Sequence, residues 1–328
     1  MTSSPADLHI DFHTHLIPEL PDFAERFGDQ RWPALVKQGN AGHLMRGGRV
    51  VRTVPDTGWS AGRRIEDMDE ANIAQQVLSP LPPLVCDWAG ADLAAEWALR
   101  LNESLAATVA AYPQHFYGLG TVPLHAPEQA ISVLEEAHNV ELRGVEIGTS
   151  AGGIELDDPS LREFFAAAAQ LGMLIFVHPL ILGAAAGWTQ RILGTEVTFG
   201  LGMPTDTAIA AAKLVFGGVV EQYPALQICL AHGGGVFVNS LARIGRAWDQ
   251  QHDRSVADLV RNVFVDSVVY DPVNLRYVAE VLGADRVLFG TDYPLPAQDD
   301  LRGGVLSGLD PSSARLVWGV NTAGLLSR

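Results

Sequence analysis

The chain has 328 residues, 48% of them hydrophobic, and a formal net charge of −16, with a pI ≈ 4.9 and a mean hydropathy of +0.13. That acidity argues against a nucleic-acid or anionic-membrane surface, and the length accommodates one large barrel or two domains. No apolar run is long enough to span a bilayer, and Met1-Thr2-Ser3-Ser4-Pro5-Ala6-Asp7 has neither the basic nor the apolar region of a leader, so a cytoplasmic protein is expected.

In chain order, short β-rich runs alternate with Ala-rich or Leu-rich helical stretches. The expected strands are Leu8 to Leu16, Gln76 to Leu81, Phe116 to Leu124, Gly144 to Thr149, Leu174 to Leu180, Leu226 to His232, Val263 to Tyr270 and Val287 to Asp292. Eight strands separated by helices predict a (β/α)8 TIM barrel in a single domain over 1–328. Helix signals between them include Asp158-Pro159, an N-cap and first-turn proline, followed by Leu161, Phe164, Phe165, Ala168 and Leu171 at helical spacing. Residues 95–100 and Thr207 to Val220 read similarly. The segment at about 20–70 is too long for an ordinary loop and is expected to form a small inserted cap between the first two strands. Within it, His43 to Arg52 reads as a hairpin turning at Gly47-Gly48, with Arg46, Arg49 and Arg52 able to reach a pocket. Cys86 and Cys229 lie in apolar stretches, as buried thiols do.

Five residues at strand ends carry the chemistry: His13 and His15 in Asp11-Phe12-His13-Thr14-His15, His178 in Val177-His178-Pro179, His232 in Ala231-His232-Gly233, and Asp292 in Thr291-Asp292-Tyr293. An H-x-H pair on a strand puts both imidazoles on one face. A third imidazole and a carboxylate from other strands would complete a divalent-metal site with a position left for water, as catalytic sites require. One histidine at a strand end is more often a hydrogen-bonded structural residue, but five at matched positions reverse that expectation. Catalytic sites of such barrels lie at this end of the strands. Of the remaining histidines, His125 after the third strand is the one to check.

With these residues in place, the chain resembles the amidohydrolase superfamily, in its amidohydrolase-2 branch of 2-amino-3-carboxymuconate 6-semialdehyde decarboxylases and related aromatic-acid decarboxylases. The stretches that carry the resemblance are Asp11 to His15, Arg64-Ile65-Glu66-Asp67-Met68-Asp69, Phe176 to Pro179, Ala231 to Gly235, Phe264-Val265-Asp266-Ser267, Leu288 to Pro294, and Asn321. The resemblance implies that His13, His15, His178 and Asp292 bind one divalent ion, usually zinc, with manganese or iron as alternatives. His232 would stand beside the bound water as acid and base. The fourth strand, Gly144-Val145-Glu146-Ile147-Gly148, has no lysine to bridge two ions, which implies a mononuclear site; Glu146 is the less favoured bridge.

By the same resemblance the substrate is a small carboxylic acid. Arg52 and Arg243 would hold its carboxylate, the second from across a homodimer interface, and a guanidinium offers the bidentate fork that this needs. The whole chain has two lysines, Lys37 and Lys213, so arginine must supply such a pocket. Trp188 and Phe199 are candidates to stack on a planar substrate. Decarboxylation is the leading expectation. Hydrolysis of a carbon–carbon, carbon–nitrogen or lactone bond, or hydration of a double bond, is the alternative, and a noncatalytic metal-binding scaffold is the remote one.

Overall fold

A computed structural model describes residues 8–180 and 195–327. Strand β1 (Ile10–Leu16) is followed by three strands of a separate antiparallel sheet, β2 (Ala34–Gln38), β3 (Ala41–Arg46) and β4 (Arg49–Pro55). Then come β5 (Gln75–Pro80), β6 (Phe116–Thr121), β7 (Gly144–Ile147), β8 (Leu174–Val177), β9 (Ile228–Leu230), β10 (Val263–Asp266) and β11 (Val287–Leu288). The main sheet is parallel in the order β1-β5-β6-β7-β8-β9-β10-β11. Its two edges join, with the Phe12 N–H donating to the Phe289 carbonyl and the His15 N–H to the Tyr293 carbonyl, each at 2.7 Å. The expected TIM barrel is the fold.

Every expected strand is present, but the third to the eighth are all shorter than the apolar runs suggest, and the last three end alike. Pairing stops at Leu230, Asp266 and Leu288 rather than at His232, Tyr270 and Asp292. Those three residues have φ of 57°, 59° and 64°, left-handed backbone that turns the chain off the sheet.

Three apolar clusters organise the molecule. Ile10, Phe12, Val77, Leu119, Leu174, Phe176, Cys229 and Leu288 fill the barrel below the site. A larger shell, including Leu78, Val133, Phe164, Phe165, Leu214, Val265 and Leu275, packs the strands against the surrounding helices. The third joins the small sheet to the barrel through Phe23, Trp32, Leu44, Val54, Leu81, Leu84 and Trp97. The hairpin read at His43 to Arg52 is β3–β4, turning at Gly47 and Gly48 with φ of 61° and 71°. Its partner β2, not anticipated, pairs on the other side of β3. After this sheet the helix Ala61–Ala71 returns to the barrel, burying Met68 in the larger shell. At the fourth strand's exit, Asp158 caps a turn over Pro159–Leu161 that leads into the helix Arg162–Leu171. The helix expected from Thr207 to Val220 runs Met203–Phe216 and then breaks before Val219–Gln222. Among the described residues no helix is long and apolar enough to cross a membrane.

Candidate active site

Strict alternation along β1 would send Ile10 and Phe12 to one face and His13 and His15 to the other. The pairing register of β1 with β5 shifts between Asp11 and Thr14, inserting one residue on the β1 side. A bulge of this kind re-aims the side chains beyond it. Phe12 consequently packs inside against Phe176, with ring centroids at 5.3 Å, while His13 stacks edge-on above Phe176 at 4.9 Å. The barrel's filling below and its imidazoles above both belong to the interior.

His13, His15, His178 and Asp292 each offer a ligand atom within 4.8 Å of all the others, and all four are buried. His13 Nε2 and His15 Nε2 are 3.1 Å apart, and Asp292 Oδ1 lies 3.1 Å from His15 Nε2 and 3.5 Å from His13 Nε2. Donor atoms sharing one tetrahedral ion at ordinary bond lengths are separated by about 3.4 Å. Neither ring nitrogen of His178 has a hydrogen-bond partner. Burying such groups unpaired costs about 1–3 kcal/mol each, and a cation among them removes that cost. His232 Nε2 stands 4.0 Å from Asp292 Oδ2, and its two ring nitrogens are also without partners. The set fits a divalent cation, with His232 beside it.

Asp266 holds this arrangement in place. Its Oδ2 accepts from His13 Nδ1 at 2.6 Å and from the His232 N–H at 2.9 Å. Its Oδ1 accepts from the N–H groups of Gly233 at 2.9 Å and Val268 at 3.0 Å. A carboxylate on the far nitrogen fixes the tautomer and leaves Nε2 aimed at the ion. On the other side Asp11 accepts from the Thr291 N–H at 3.1 Å and hydroxyl at 2.7 Å, tying β1 to the loop that carries Asp292. Gly290 makes this approach possible, because a Cβ there would stand 2.6 Å from His13 Cβ. The buried Arg64 guanidinium donates to the His15 carbonyl and, at 3.0 Å, to Gln76 Oε1. Glu146 lies 3.6 Å behind His15 Nδ1, outside the four-residue cluster. The strand's alternation points it inward while Val145 and Ile147 pack into the larger shell, so it stands behind His15 rather than among the four.

Burial opposes charge on His13, but Asp266 outweighs it and raises the ring to about 9. Burial lowers His15 and His232, and lowers His178 well below the ordinary range with help from the neighbouring imidazoles. Burial would raise Asp266 and Asp292, yet the adjacent histidines leave both below the usual carboxylate value. Burial pushes Glu146 up to about 8 and Asp11 to about 7. His15, His178 and His232 are thus neutral beside an ionised Asp292, the states in which these groups bind a metal, whereas His13 must give up its proton to a cation.

Above the cluster is a cavity of ≈ 100 Å³. Leu81, Pro82, Pro83, Phe199, Met203 and Leu295 form its apolar wall, and Arg52 is its one arginine or lysine among the described residues. Burial lowers the Arg52 pKa, and its Nε is buried without a partner. Of the hairpin's other arginines, Arg46 donates to the Pro83 carbonyl at 3.5 Å and lies 5.9 Å from the Trp88 ring centroid, while Arg49 is exposed. Arg243 is exposed on the helix Phe237–Trp248 and does not line the cavity of its own chain. Trp188 falls outside the described residues. His125 Nε2 lies 2.8 Å from the Ala89 carbonyl, a structural role. Asp266 is the residue that reading for ligands passed over. It lies in the Phe264-Val265-Asp266-Ser267 stretch that carries the resemblance, but an acid ending the apolar run Val263-Phe264-Val265 is also what a helix cap looks like.

Comparison with known proteins agrees with this geometry. The chain is 32% identical to a 2-amino-3-carboxymuconate-6-semialdehyde decarboxylase of Dictyostelium discoideum over 299 residues, 88% of this chain and 82% of the relative. Its fold matches that of Metarhizium anisopliae IDCase in apo form with a TM-score of 0.80 and 26% identity, covering 99% of each chain. It also matches a dihydroxybenzoic acid decarboxylase of Polaromonas sp. with bound manganese and the inhibitor 2-nitroresorcinol, at a TM-score of 0.73 and 23% identity over 98% of this chain and 97% of that one. The amidohydrolase pattern of the amidohydrolase-2 branch matches residues 10–309, and the chain belongs to that family.

Proposed function

We propose that the protein is a metal-dependent nonoxidative decarboxylase of a small conjugated or aromatic carboxylic acid, of the 2-amino-3-carboxymuconate semialdehyde or hydroxybenzoate kind. The observation that carries this reading is one cavity in which His178 and Asp292, of a buried three-His, one-Asp cluster, and the Arg52 guanidinium meet an apolar wall, with the unpartnered imidazole of His232 4.0 Å from Asp292. A divalent ion held by His13, His15, His178 and Asp292, zinc or manganese, would supply Lewis-acid polarisation of a substrate oxygen. Arg52 pairs with a carboxylate, which its low-dielectric setting favours. The apolar wall takes the conjugated body of the acid and excludes water. His232, which burial keeps neutral, takes a proton from a water molecule in the site and passes it to the carbon that bears the departing carboxylate. That carbon then gains a C–H bond, its bond to the carboxylate breaks, and the electron pair returns to the conjugated system as carbon dioxide leaves.

Arg243, exposed on its own chain, is assigned in this proposal to the neighbouring cavity of a homodimer. A fully active monomer at high dilution rules that out.

The deciding experiment measures carbon dioxide release from conjugated semialdehyde acids and hydroxybenzoates by the metal-loaded protein and its His232→Ala variant. The expected result is release by the parent protein and a loss of 100-fold or more in the variant, on the order general acid–base catalysis provides, with metal content retained. Substrate loss without carbon dioxide would instead identify a hydrolase or hydratase.

A further inference from the structure

Among the described residues five non-glycine residues have left-handed backbone, and two of them have an ordinary reason for it. Asn72 ends the helix Ala61–Ala71, and Glu141 follows the helix Pro127–Asn139. The other three are His232, Tyr270 and Asp292, which follow β9, β10 and β11 in turn at the same end of the barrel. His232 and Asp292 belong to the site already described. Tyr270 has no part in it so far.

The backbone around Tyr270 is held from both sides. Asp266 accepts the Val268 N–H upstream. Asp271, immediately downstream, caps the helix Pro272–Leu282 by accepting the N–H groups of Val273 at 2.7 Å and Asn274 at 3.1 Å. These anchors explain the turn but not the residue, since glycine or asparagine takes left-handed backbone with less strain than a bulky aromatic. Side-chain packing does not explain it either, because Tyr270 is 46% exposed. Its ring faces Phe199, with centroids 6.1 Å apart and planes tilted by 54°, and Phe199 lines the cavity. A half-exposed aromatic held in strained backbone beside a cavity-lining aromatic is placed for a ligand.

We propose that Tyr270 is a specificity-determining residue whose ring, together with Phe199, forms the aromatic side of the cavity mouth and takes the planar face of an aromatic carboxylic acid. This rests on the reading of the site as one for conjugated acids and selects the aromatic members of that class. Stacking of this kind is lost when the ring is removed and kept when only the hydroxyl is.

The test uses the full-length metal-loaded protein with 2,6-dihydroxybenzoate as probe, its binding measured by calorimetry beside the thermal unfolding of each variant. Tyr270→Gly and Tyr270→Asn both relieve the backbone and remove the ring; either serves if the other fails to fold. The expected result is an unfolding midpoint equal to or above that of the parent, with affinity weakened on the order of tenfold, while Tyr270→Phe stays within about threefold of the parent. Parent-like affinity in the glycine or asparagine variant overturns the proposal and leaves the proposed activity standing. Failure of the parent protein to bind the probe overturns the aromatic-acid reading, and this inference with it.

Discussion

Four N–H groups from three separate parts of the chain converge on Asp266: His13 Nδ1, the backbone of His232 and Gly233, and the backbone of Val268. Every one is a donor, so Asp266→Asn, which exchanges one acceptor oxygen for an NH₂ group, sets donor against donor in a buried pocket. The expected cost is about 1–3 kcal/mol in stability, with metal affinity falling about 10–100-fold because His13 loses the carboxylate that fixes its tautomer. Chelator competition measures the second effect separately from the first. Affinity equal to that of the parent protein would show that His13 needs no such support.

At the level of elements, the site depends on two irregular features of otherwise regular strands. The bulge in β1 lets Phe12 and the two histidines share the barrel interior, and the left-handed residue after β11 swings Asp292 over them. Gly290 sits where these two elements touch. Gly290→Ala would place a methyl group 2.6 Å from His13 Cβ, so one of the two segments must move. Overpacking of this degree is expected to destabilise by about 1–3 kcal/mol. The metal site should suffer beyond that, since Asp292 and His13 separate as the strands do. Denaturant unfolding and metal titration of the variant together check the claim, and a destabilised protein with parent-like metal affinity would contradict it.

For the whole molecule, the barrel is a closed sheet, and the four residues that would share one ion come from the ends of β1, β8 and β11, so ion binding would be linked to folding. Stripping the metal with a chelator should lower the unfolding midpoint by roughly 5 °C when the ion had been present at about 100 times its dissociation constant, and readdition should restore it. The pH dependence has a definite sign. In the ion-free protein His13 is raised from 6.5 to about 9 and Glu146 from 4.5 to about 8. Both groups hold protons in the folded state that the unfolded chain has already released, so the ion-free protein loses stability as pH rises from about 7 to 9. A bound cation takes the place of the His13 proton, and its charge disfavours the proton on nearby Glu146, so the stability gap between loaded and ion-free protein should widen over that range. A gap that narrows with rising pH would mean that protons and cation do not compete here.

The barrel and its candidate ligands were legible in the sequence because both are written in local patterns. Apolar runs alternating with helical periodicity mark the eight units, and H-x-H, His178, His232 and Asp292 stand at or just beyond the ends of those runs. What the tertiary structure alone decided is which side chains meet. Arg52 reaches the cavity while Arg46, on the same hairpin, turns to Pro83 and Trp88. Asp266 supports His13 from a strand 253 residues away, and Tyr270 stands beside Phe199 across two strand ends. A residue's type and spacing carry its chemistry, but a partner hundreds of residues distant is set by barrel closure and by a one-residue bulge in β1. Neither of these leaves a periodic trace along the chain.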